Sequence, residues 1–274
     1  MSATQIEKAN RFKALHHGPA AFVIANAWDA GSARVLAGLG FQALATSSGA
    51  SAGVLGRRDG QVTRDEALSQ ARAIALATDL PLSADLEKGF GDAPHVVAET
   101  IRLAAATGLV GGSIEDSTQR PDSPIYELEH AVERVRAAAE VVCALPFAFT
   151  LTGRAENYLV GRPNLEDTIK RLQAFQEAGA DVLYAPGLTS KEDIVSVVNS
   201  VDRPVNVVMG LQGVQLSLTA LSEIGVKRIS VGSALSRAAL GAFLRAAREM
   251  KTHGTFTFAD EAVSYREISA MFKA

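Results

Sequence analysis

The chain has 274 residues, of which 47% are hydrophobic and 21% charged, and 27 basic against 30 acidic residues give a net charge of −3. This composition excludes a disordered polymer, a collagen-like fibre and a polycation for nucleic acid. The single cysteine, Cys143, excludes an intrachain disulfide and a cysteine-rich zinc site, and it predicts a reducing, cytoplasmic setting.

The N-terminal segment carries an amphipathic stretch at about residues 5–16, which predicts a leader helix. The first apolar stretch, at 20–27, is interrupted by Asn26 and is followed by no small-residue cleavage site. It therefore predicts neither a signal peptide nor a membrane span, and we expect no membrane partner.

Eight short apolar runs then alternate with longer segments of helical spacing, a pattern typical of parallel strands covered by helices. No linker or change of composition interrupts the alternation. The sequence therefore predicts one (β/α)8 barrel domain over residues 1–274, an α/β fold whose bottom the leader helix covers. The predicted strands are 21–28, 43–48, 81–87, 110–115, 147–153, 181–185, 204–209 and 228–232.

Start and stop signals mark the helices between these runs. Thr63 and Glu66 form a capping-box pattern, and Asn164 is a typical N-cap residue. Gly179 and Gly225 each follow a predicted helix and shortly precede a strand, as helix-ending glycines do.

A C-terminal extension at about 258–274 follows the last barrel helix, which is predicted over 238–251. Apolar residues recur in the extension at near-helical spacing, from Ala262 to Met271. Such a stripe needs a surface to cover it. The sequence leaves two covers open, the chain's own barrel and a second subunit.

Catalytic groups of such barrels lie at the carboxyl ends of the strands and in the loops that follow, and in this chain those positions are polar. Trp28 ends the first predicted strand and Asn206 lies within the seventh, and we expect both to contact a substrate. The other polar candidates at or after the strand ends are Ser47, Ser48, Gly49, Asp59, Asp85, Glu87, Glu115, Arg154, Glu156 and Tyr158.

Acidic residues at this edge predict a metal site. Asp85 and Glu87 are two apart on one predicted strand and so share a face, Glu115 ends the next strand, and Asp59 lies in a glycine-rich loop. Two carboxylates 4 Å apart repel by about 4 kcal/mol at an effective dielectric of about 20, so their convergence requires a cation. Oxygen ligands favour Mg²⁺ or Mn²⁺. The alternative is an ordinary ion-pair network with nearby basic side chains.

Arg154 is the expected clamp for a substrate carboxylate, because a guanidinium is always charged and offers a planar fork of donors. A salt bridge to Glu156 is its alternative role. The backbone of Ser47, Ser48 and Gly49 can turn N–H groups toward an anion, or it can form a plain turn.

Histidine and cysteine chemistry is not expected at this edge. None of the five histidines ends a predicted strand, and we expect them, His16 included, to be solvated. Cys143 lies near the apolar end of a helix, which predicts packing rather than a reactive thiolate. The glycine-containing segments 210–213 and 232–233 occupy positions where barrels bind phosphate, with Arg237 as their single basic neighbour.

Several short segments form a recognisable combination when they are taken together: 26–34, 47–49, Asp59 with 63–66, 85–91, 112–116 and 231–232. Together they resemble the isocitrate lyase/phosphoenolpyruvate mutase superfamily. The resemblance implies a (β/α)8 barrel that exchanges its eighth helix with a partner subunit, usually in a dimer of dimers and therefore a homotetramer.

The same resemblance implies Mg²⁺ held by Asp85, with Asp59, Glu87 and Glu115 around it largely through water. Family members hold a substrate carboxylate with the arginine that matches Arg154 and with the backbone that matches 47–49. They cleave or form C–C or P–C bonds in small 2-oxo or 2-hydroxy acids through an enolate.

The segment after the fourth strand departs from this family. Isocitrate and methylisocitrate lyases carry there a Lys-Lys/Arg-Cys-Gly-His loop whose cysteine is the catalytic acid, whereas this chain reads Ser-Thr-Gln-Arg-Pro-Asp-Ser-Pro over 117–124. The lysine- and asparagine-containing loop of the mutases is absent too. Glu87 also replaces the second aspartate of the usual Asp-x-Asp, and Arg-Ala-Glu-Asn at 154–157 replaces Arg-Thr-Asp.

We therefore expect a Mg²⁺-dependent lyase or hydrolase that cleaves a C–C bond in a small 2-oxo or 2-hydroxy dicarboxylic acid. Arg154 would orient the acid, the 117–125 loop would exclude water, and Tyr158, Glu156 or a metal-bound water would supply a proton, with Asp59 at the same mouth. Two alternatives remain: P–C chemistry on phosphonopyruvate or phosphoenolpyruvate, and a non-catalytic protein that binds a 2-oxo acid. The net negative charge disfavours nucleic-acid binding.

Overall fold

A computed structural model describes residues 3–188, 190–211 and 215–272. Its strands close into a parallel barrel in chain order, each paired with the next and the last with the first. The predicted (β/α)8 barrel is therefore confirmed. The strands are β1 (Phe22–Asn26), β2 (Ala43–Ala45), β3 (Leu82–Asp85), β4 (Gly111–Glu115), β5 (Thr150–Arg154), β6 (Val182–Tyr184), β7 (Val205–Val208) and β8 (Arg228–Ser230).

Helices follow the strands and cover the outside of the barrel. They are α1 (Gln5–His16), α2 (Ala30–Gly38), α3 (Ser48–Val54), α4 (Arg64–Ala77), α5 (Pro94–Ala105), α6 (Leu128–Ala144), α7 (Leu165–Glu177), α8 (Lys191–Asn199), α9 (Leu218–Glu223), α10 (Ala234–His253) and α11 (Tyr265–Met271). A short 3₁₀ helix, Thr257–Glu261, joins the last two. No helix in these described ranges is long and apolar enough to cross a membrane.

The helix signals act where the sequence places them. Thr63 and Glu66 form a reciprocal capping box at the start of α4, and the Asn164 side chain accepts a hydrogen bond from the backbone of Asp167 at the start of α7. Gly179 follows α7 at a φ of 106°, a left-handed conformation that favours glycine. Local capping chemistry therefore sets these helix boundaries.

The leader helix α1 closes the bottom of the barrel. Phe12 is fully buried and packs edge-to-face against Phe22 at 6.4 Å between ring centroids. A Cβ atom on Gly111 would lie 2.9 Å from the Phe12 ring, so a glycine in β4 makes room for it.

The sequence leaves open whether the C-terminal extension packs on its own barrel or on a second subunit. Helix α11 packs on α2 of the same chain, and Arg34 donates a hydrogen bond to the Phe272 carbonyl. Helix α10 has no buried residue, and its Phe243 side chain is 65% exposed. Residues 273 and 274 of the predicted extension, and 212 and 213 of the glycine-containing segment 210–213, lie outside the described residues.

Three expectations are wrong in detail. Strand β3 ends at Asp85, so Glu87 lies beyond the strand, where the alternation of faces no longer applies. Cys143 is exposed, because the last turn of α6 turns it away from the barrel. His16 is buried at the barrel bottom, because it ends the helix that closes the barrel.

Candidate active site

Most of the predicted substrate-binding residues line one cavity of about 180 Å³ that opens at the carboxyl ends of the strands. Ser47, Ser48, Asp59, Asp85 and Arg154 surround its mouth. Deeper in the barrel the cavity wall is formed by Ile24, Asn26, Ser83, Ser113, Tyr184, Asn206, Arg228 and Ser230. The strand order brings these distant segments of the chain together.

Asp85 is held by the backbone of two neighbouring segments. Its carboxylate accepts hydrogen bonds from the Ser48 N–H at 3.1 Å and from the Glu87 N–H at 3.2 Å. Ser47 is the N-cap residue of α3, so the predicted anion-binding backbone at 47–49 here serves Asp85. The arrangement fixes the carboxylate at the mouth with its charge stabilised by N–H dipoles.

Asp59 reaches the same mouth from its loop, as predicted. A Cβ atom on Gly49 would lie 3.1 Å from the Asp59 carboxylate, so glycine allows the loop to fold close against the start of α3. The Asp59 carboxylate also accepts a hydrogen bond from the Gly60 N–H at 3.1 Å.

Arg154 lies at the centre of the acidic cluster. Its guanidinium pairs with Glu156 through Nε, and its Nη1 atom lies 3.4 Å from Glu115 and 3.6 Å from Asp85. The ring of Tyr184 lies beneath it, 5.2 Å from the guanidinium carbon. The structure therefore shows the salt bridge to Glu156, which was the alternative role for Arg154, and it places the guanidinium among the carboxylates at the mouth.

Glu87 adopts a left-handed backbone conformation with a φ of 50°. Burial is the largest cause that raises its pKa to about 7; the charges of Asp85 and Asp59 act in the same direction, and a hydrogen bond from Gln119 opposes them. A non-glycine residue at positive φ is unfavourable and persists where the surrounding structure holds it. Glu87 thus faces the cluster from the side of the 117–125 loop.

Glu115 lies buried between these groups. Burial raises its pKa well above the ordinary value, the Arg154 charge opposes that effect, and Glu156, Asp85 and Glu87 raise it further. The contacts of Arg154 with Asp85, Glu115 and Glu156 bring these three carboxylates around one guanidinium.

The donor set fits Mg²⁺. Arg154 is the one basic side chain of the described residues within 4.0 Å of Asp59, Asp85, Glu87, Glu115 or Glu156, so the cluster carries excess negative charge. Within the described ranges no three acidic, histidine or cysteine side chains lie close enough to ligate one ion directly. Mg²⁺ keeps several waters and uses one or two carboxylates, which matches this spacing. Asp85, Glu87 and Glu115 are the residues that would hold it, in part through the ion's own water molecules.

The 117–125 loop lies over this cluster and is anchored at two places. Gln119 donates a hydrogen bond to Glu87 at 2.6 Å, and Arg120 pairs with Asp92 at 2.8 Å. Lys88 also pairs with Asp92, at 2.9 Å, and donates to the Thr118 carbonyl. The loop therefore contacts the acidic cluster directly.

Six predicted residues are absent from the wall of the central cavity: Trp28, Gly49, Glu87, Glu115, Glu156 and Tyr158. The Trp28 backbone N–H instead donates to the Ser32 hydroxyl at the start of α2. Asn206 does line the cavity, but deep in the barrel, where it bonds Ser230 and Arg228.

Several residues in or near the cavity are not predicted from the sequence. Tyr184 ends β6, and Arg228 opens β8 with a charge in a strand otherwise read as apolar. Asp116 is buried behind the cluster, where it accepts from the Glu156 N–H and pairs with Arg171 at 3.1 Å. A charged residue that begins a short barrel strand was the one available signal for Arg228.

Comparisons with known proteins place this arrangement in context. The family model of phosphoenolpyruvate phosphomutase matches residues 12–251. An uncharacterized protein of Mycobacterium tuberculosis H37Rv is 31% identical over 242 residues, 86% of this chain and 87% of that protein. The oxaloacetate decarboxylase of Pseudomonas entomophila is 29% identical over 84% of this chain and 80% of its own length.

Two solved structures are similar to this chain over nearly its whole length. The crystal structure of a candidate lyase/mutase of Burkholderia cenocepacia J2315 has a TM-score of 0.96 and 58% identity, covering 98% of this chain and 97% of that one. The structure of 2,3-dimethylmalate lyase has a TM-score of 0.87 and 25% identity, covering 99% and 95%.

Proposed function

The chain belongs to the phosphoenolpyruvate phosphomutase family of the isocitrate lyase/phosphoenolpyruvate mutase superfamily, and on that premise we propose that it is a Mg²⁺-dependent enzyme that cleaves a C–C bond in a small 2-oxo or 2-hydroxy dicarboxylic acid. The observation that carries the proposal is the acidic cluster of Asp85, Glu87 and Glu115 around Arg154. Curated relatives include an oxaloacetate decarboxylase and a 2-methylisocitrate lyase of Escherichia coli, which is 34% identical over 55% of this chain and 52% of its own length.

Each group at the mouth has a separate task in this proposal. A bound Mg²⁺ supplies Lewis-acid stabilisation of the negative charge that develops on the substrate's 2-oxygen. Arg154 orients a substrate carboxylate through its planar guanidinium, and Asp85 is fixed for its role by the Ser48 and Glu87 N–H groups. The 117–125 loop covers the cluster and excludes water.

The proton donor is Tyr184 rather than Tyr158 in this proposal, because Tyr184 lines the cavity. Burial raises the pKa of its hydroxyl to about 12, and Arg154 opposes that effect. The phenol therefore carries its proton at neutral pH and can donate it to a developing carbanion.

Turnover of a panel of oxaloacetate, methylisocitrate and phosphonopyruvate with Mg²⁺ tests the proposal. We expect cleavage of a dicarboxylate that stops with EDTA, and a loss of about a hundredfold or more in Asp85→Ala. Glu99→Gln, in an exposed ion pair on α5, is the matched acidic control. Activity that survives both EDTA and Asp85→Ala would overturn the proposal.

The same panel distinguishes the alternatives. Turnover of phosphonopyruvate with none of a dicarboxylate would assign P–C chemistry, in keeping with the family match. Tight binding of oxalate by calorimetry, with no product from any acid, would assign a binding protein.

We also propose that α10 packs against a second copy of the chain. Its apolar residues Leu240, Phe243 and Leu244 are exposed, and none of its residues is buried within the chain. Sedimentation of the purified protein should show a dimer or tetramer that Phe243→Glu dissociates, and a wild-type monomer would contradict this.

A further inference from the structure

The barrel interior below the acidic cluster is open and polar. The cavity wall there carries small or polar side chains, Ser83, Ser113, Asn206 and Ser230, where barrel interiors are usually filled by bulky branched residues. A water molecule occupies about 30 Å³ in the liquid, so a cavity of about 180 Å³ has room for a small organic acid.

Arg228 forms the floor of this cavity. The residue is 5% exposed and lines the cavity from the first position of β8. Its guanidinium donates from Nε to Asn206 Oδ1 at 2.8 Å and from Nη2 to Thr152 Oγ1 at 2.9 Å, and its Nη1 atom lies 3.4 Å from His16 Nε2.

All three partners of Arg228 are uncharged. Burial first and then the Arg228 charge lower the pKa of His16 to about 3, so the imidazole is neutral at physiological pH. No carboxylate of the described residues lies within 4.0 Å of the guanidinium, whereas Arg154 at the mouth has three such neighbours. Arg228 is therefore a buried cation with no counter-charge at ion-pair distance in the part of the chain that the structure describes.

The unused hydrogen-bonding capacity of Arg228 also indicates a site for an anionic ligand. A guanidinium has five N–H donors in a fixed fork, and three contacts leave two N–H groups with no acceptor among the described residues. A buried charge is costly unless it is paired, and a carboxylate is the planar partner that a guanidinium fork matches.

We propose that the cavity binds a dicarboxylate, with its 2-oxo or 2-hydroxy acid end at the mouth and its distal carboxylate on Arg228. This inference rests on the proposed function, which places the reacting end of the acid at Asp85 and Arg154. Arg228 is then a specificity-determining residue, because it favours a dianionic acid over a monoanionic acid of the same length. Asn206 and Thr152 hold its guanidinium in place.

Calorimetric titration with malate and with 2-hydroxybutanoate, in the presence of Mg²⁺, tests this assignment. The two acids share four carbons and the 2-hydroxy acid end, and they differ in the distal carboxylate. We expect wild-type protein to bind malate about ten- to a hundredfold more tightly, as one charge-assisted contact in a buried site allows.

Arg228→Gln should abolish that preference and leave the affinity for 2-hydroxybutanoate within about twofold of wild type. Arg203→Gln, which removes an exposed arginine near the barrel bottom, is the matched control and should retain the preference. If circular dichroism shows that Arg228→Gln is unfolded, Arg228→Lys decides, because it keeps the charge but loses the fork and should reduce the preference at least about threefold.

The outcomes distinguish a failure of the Arg228 site from a failure of the proposed function. Equal binding of both acids by the wild type, or an unchanged preference in the folded Arg228 variants, overturns the Arg228 site and leaves the proposed function standing. Binding of neither acid overturns the proposed function, and the inference that rests on it falls as well.

Discussion

The mouth and the floor of the central cavity have opposite charge imbalances. At the mouth, one guanidinium, Arg154, faces Asp85, Glu115 and Glu156. At the floor, the partners of Arg228 among the described residues are the neutral side chains of His16, Asn206 and Thr152. Two arginines in one barrel interior, on β5 and β8, thus sit in environments that require different ligands: a cation above and an anion below.

The difference shows that the charges around a buried arginine indicate which kind of ligand its surroundings require. Arg154 has more negative charge around it than it can neutralise, and Arg228 has none within ion-pair distance among the described residues. Substitutions at the two positions should therefore have different consequences, and each prediction below tests one part of that contrast.

Removal of the mouth arginine should have the largest effect. Arg154→Gln leaves Glu115, Glu156 and Asp85 buried without their cation, and breaking such a pair costs about 3–5 kcal/mol in the free energy of unfolding. Urea unfolding measures this loss, and Mg²⁺ should restore part of it. Arg102→Gln, in an exposed pair with Glu99, should change stability by less than about 1 kcal/mol. A stable Arg154→Gln protein would contradict the excess of negative charge.

Acid should destabilise the floor through His16. Burial first, then the charges of Arg228 and His17, lower its pKa from 6.5 to about 3 against a backbone hydrogen bond to Phe12. Between these values the unfolded chain binds a proton that the native state does not, so the free energy of unfolding falls as pH falls from about 6.5. The slope from this group is up to about 1.4 kcal/mol per pH unit.

Thermal or urea unfolding between neutral and mildly acidic pH measures that slope. His16→Gln should flatten it, because the amide oxygen can still accept from Arg228 and cannot be protonated. His95→Gln, at an exposed position, should leave it unchanged. Equal slopes in wild type and His16→Gln would mean that His16 is not the group that titrates.

Removal of the floor arginine should cost less than removal of the mouth arginine. Arg228→Met leaves Asn206 and Thr152 without a donor, at about 1 kcal/mol each, and it also removes a buried unpaired charge, which offsets that cost. We expect the free energy of unfolding of the ligand-free protein to change by less than about 2 kcal/mol. A loss as large as that of Arg154→Gln would indicate that Arg228 is chiefly structural.

The smallest effect should come from the loop contact at the mouth. Gln119→Ala removes one hydrogen bond to Glu87, worth about 1 kcal/mol, so we expect KM to rise by at most about fivefold and the free energy of unfolding to fall by about 1 kcal/mol. Gln119→Asn is the control, because asparagine tolerates the left-handed φ of 60° but is too short to reach Glu87. An unchanged KM in Gln119→Ala would show that this contact does not hold the loop.

Several parts of the fold and of the mouth follow from local sequence. Apolar runs separated by capped helices predict the barrel. A capping box or a helix-ending glycine affects the backbone within a few residues of its own position, as at Thr63 and Gly179. Asp85, Glu115 and Arg154 are predicted together because the carboxyl ends of parallel strands meet at one edge, and in the structure Arg154 lies within 4.0 Å of both carboxylates.

Other parts depend on distant segments. The sequence predicts a solvated His16 and a packed Cys143, and both predictions are wrong, because burial is decided by which face of a helix meets the barrel. Glu87 departs from the strand alternation because the strand ends two residues earlier, where the chain turns.

The sequence by itself determined the architecture and the acidic composition of the mouth, since both follow from periodicity and from which residues end the strands. Tertiary structure alone decided that Arg228 of β8 meets Thr152 of β5 and His16 of α1, and that no acidic side chain of the described residues accompanies them. The physical reason is that charge balance inside a closed barrel depends on side chains from every strand, and their distances are fixed when the barrel closes.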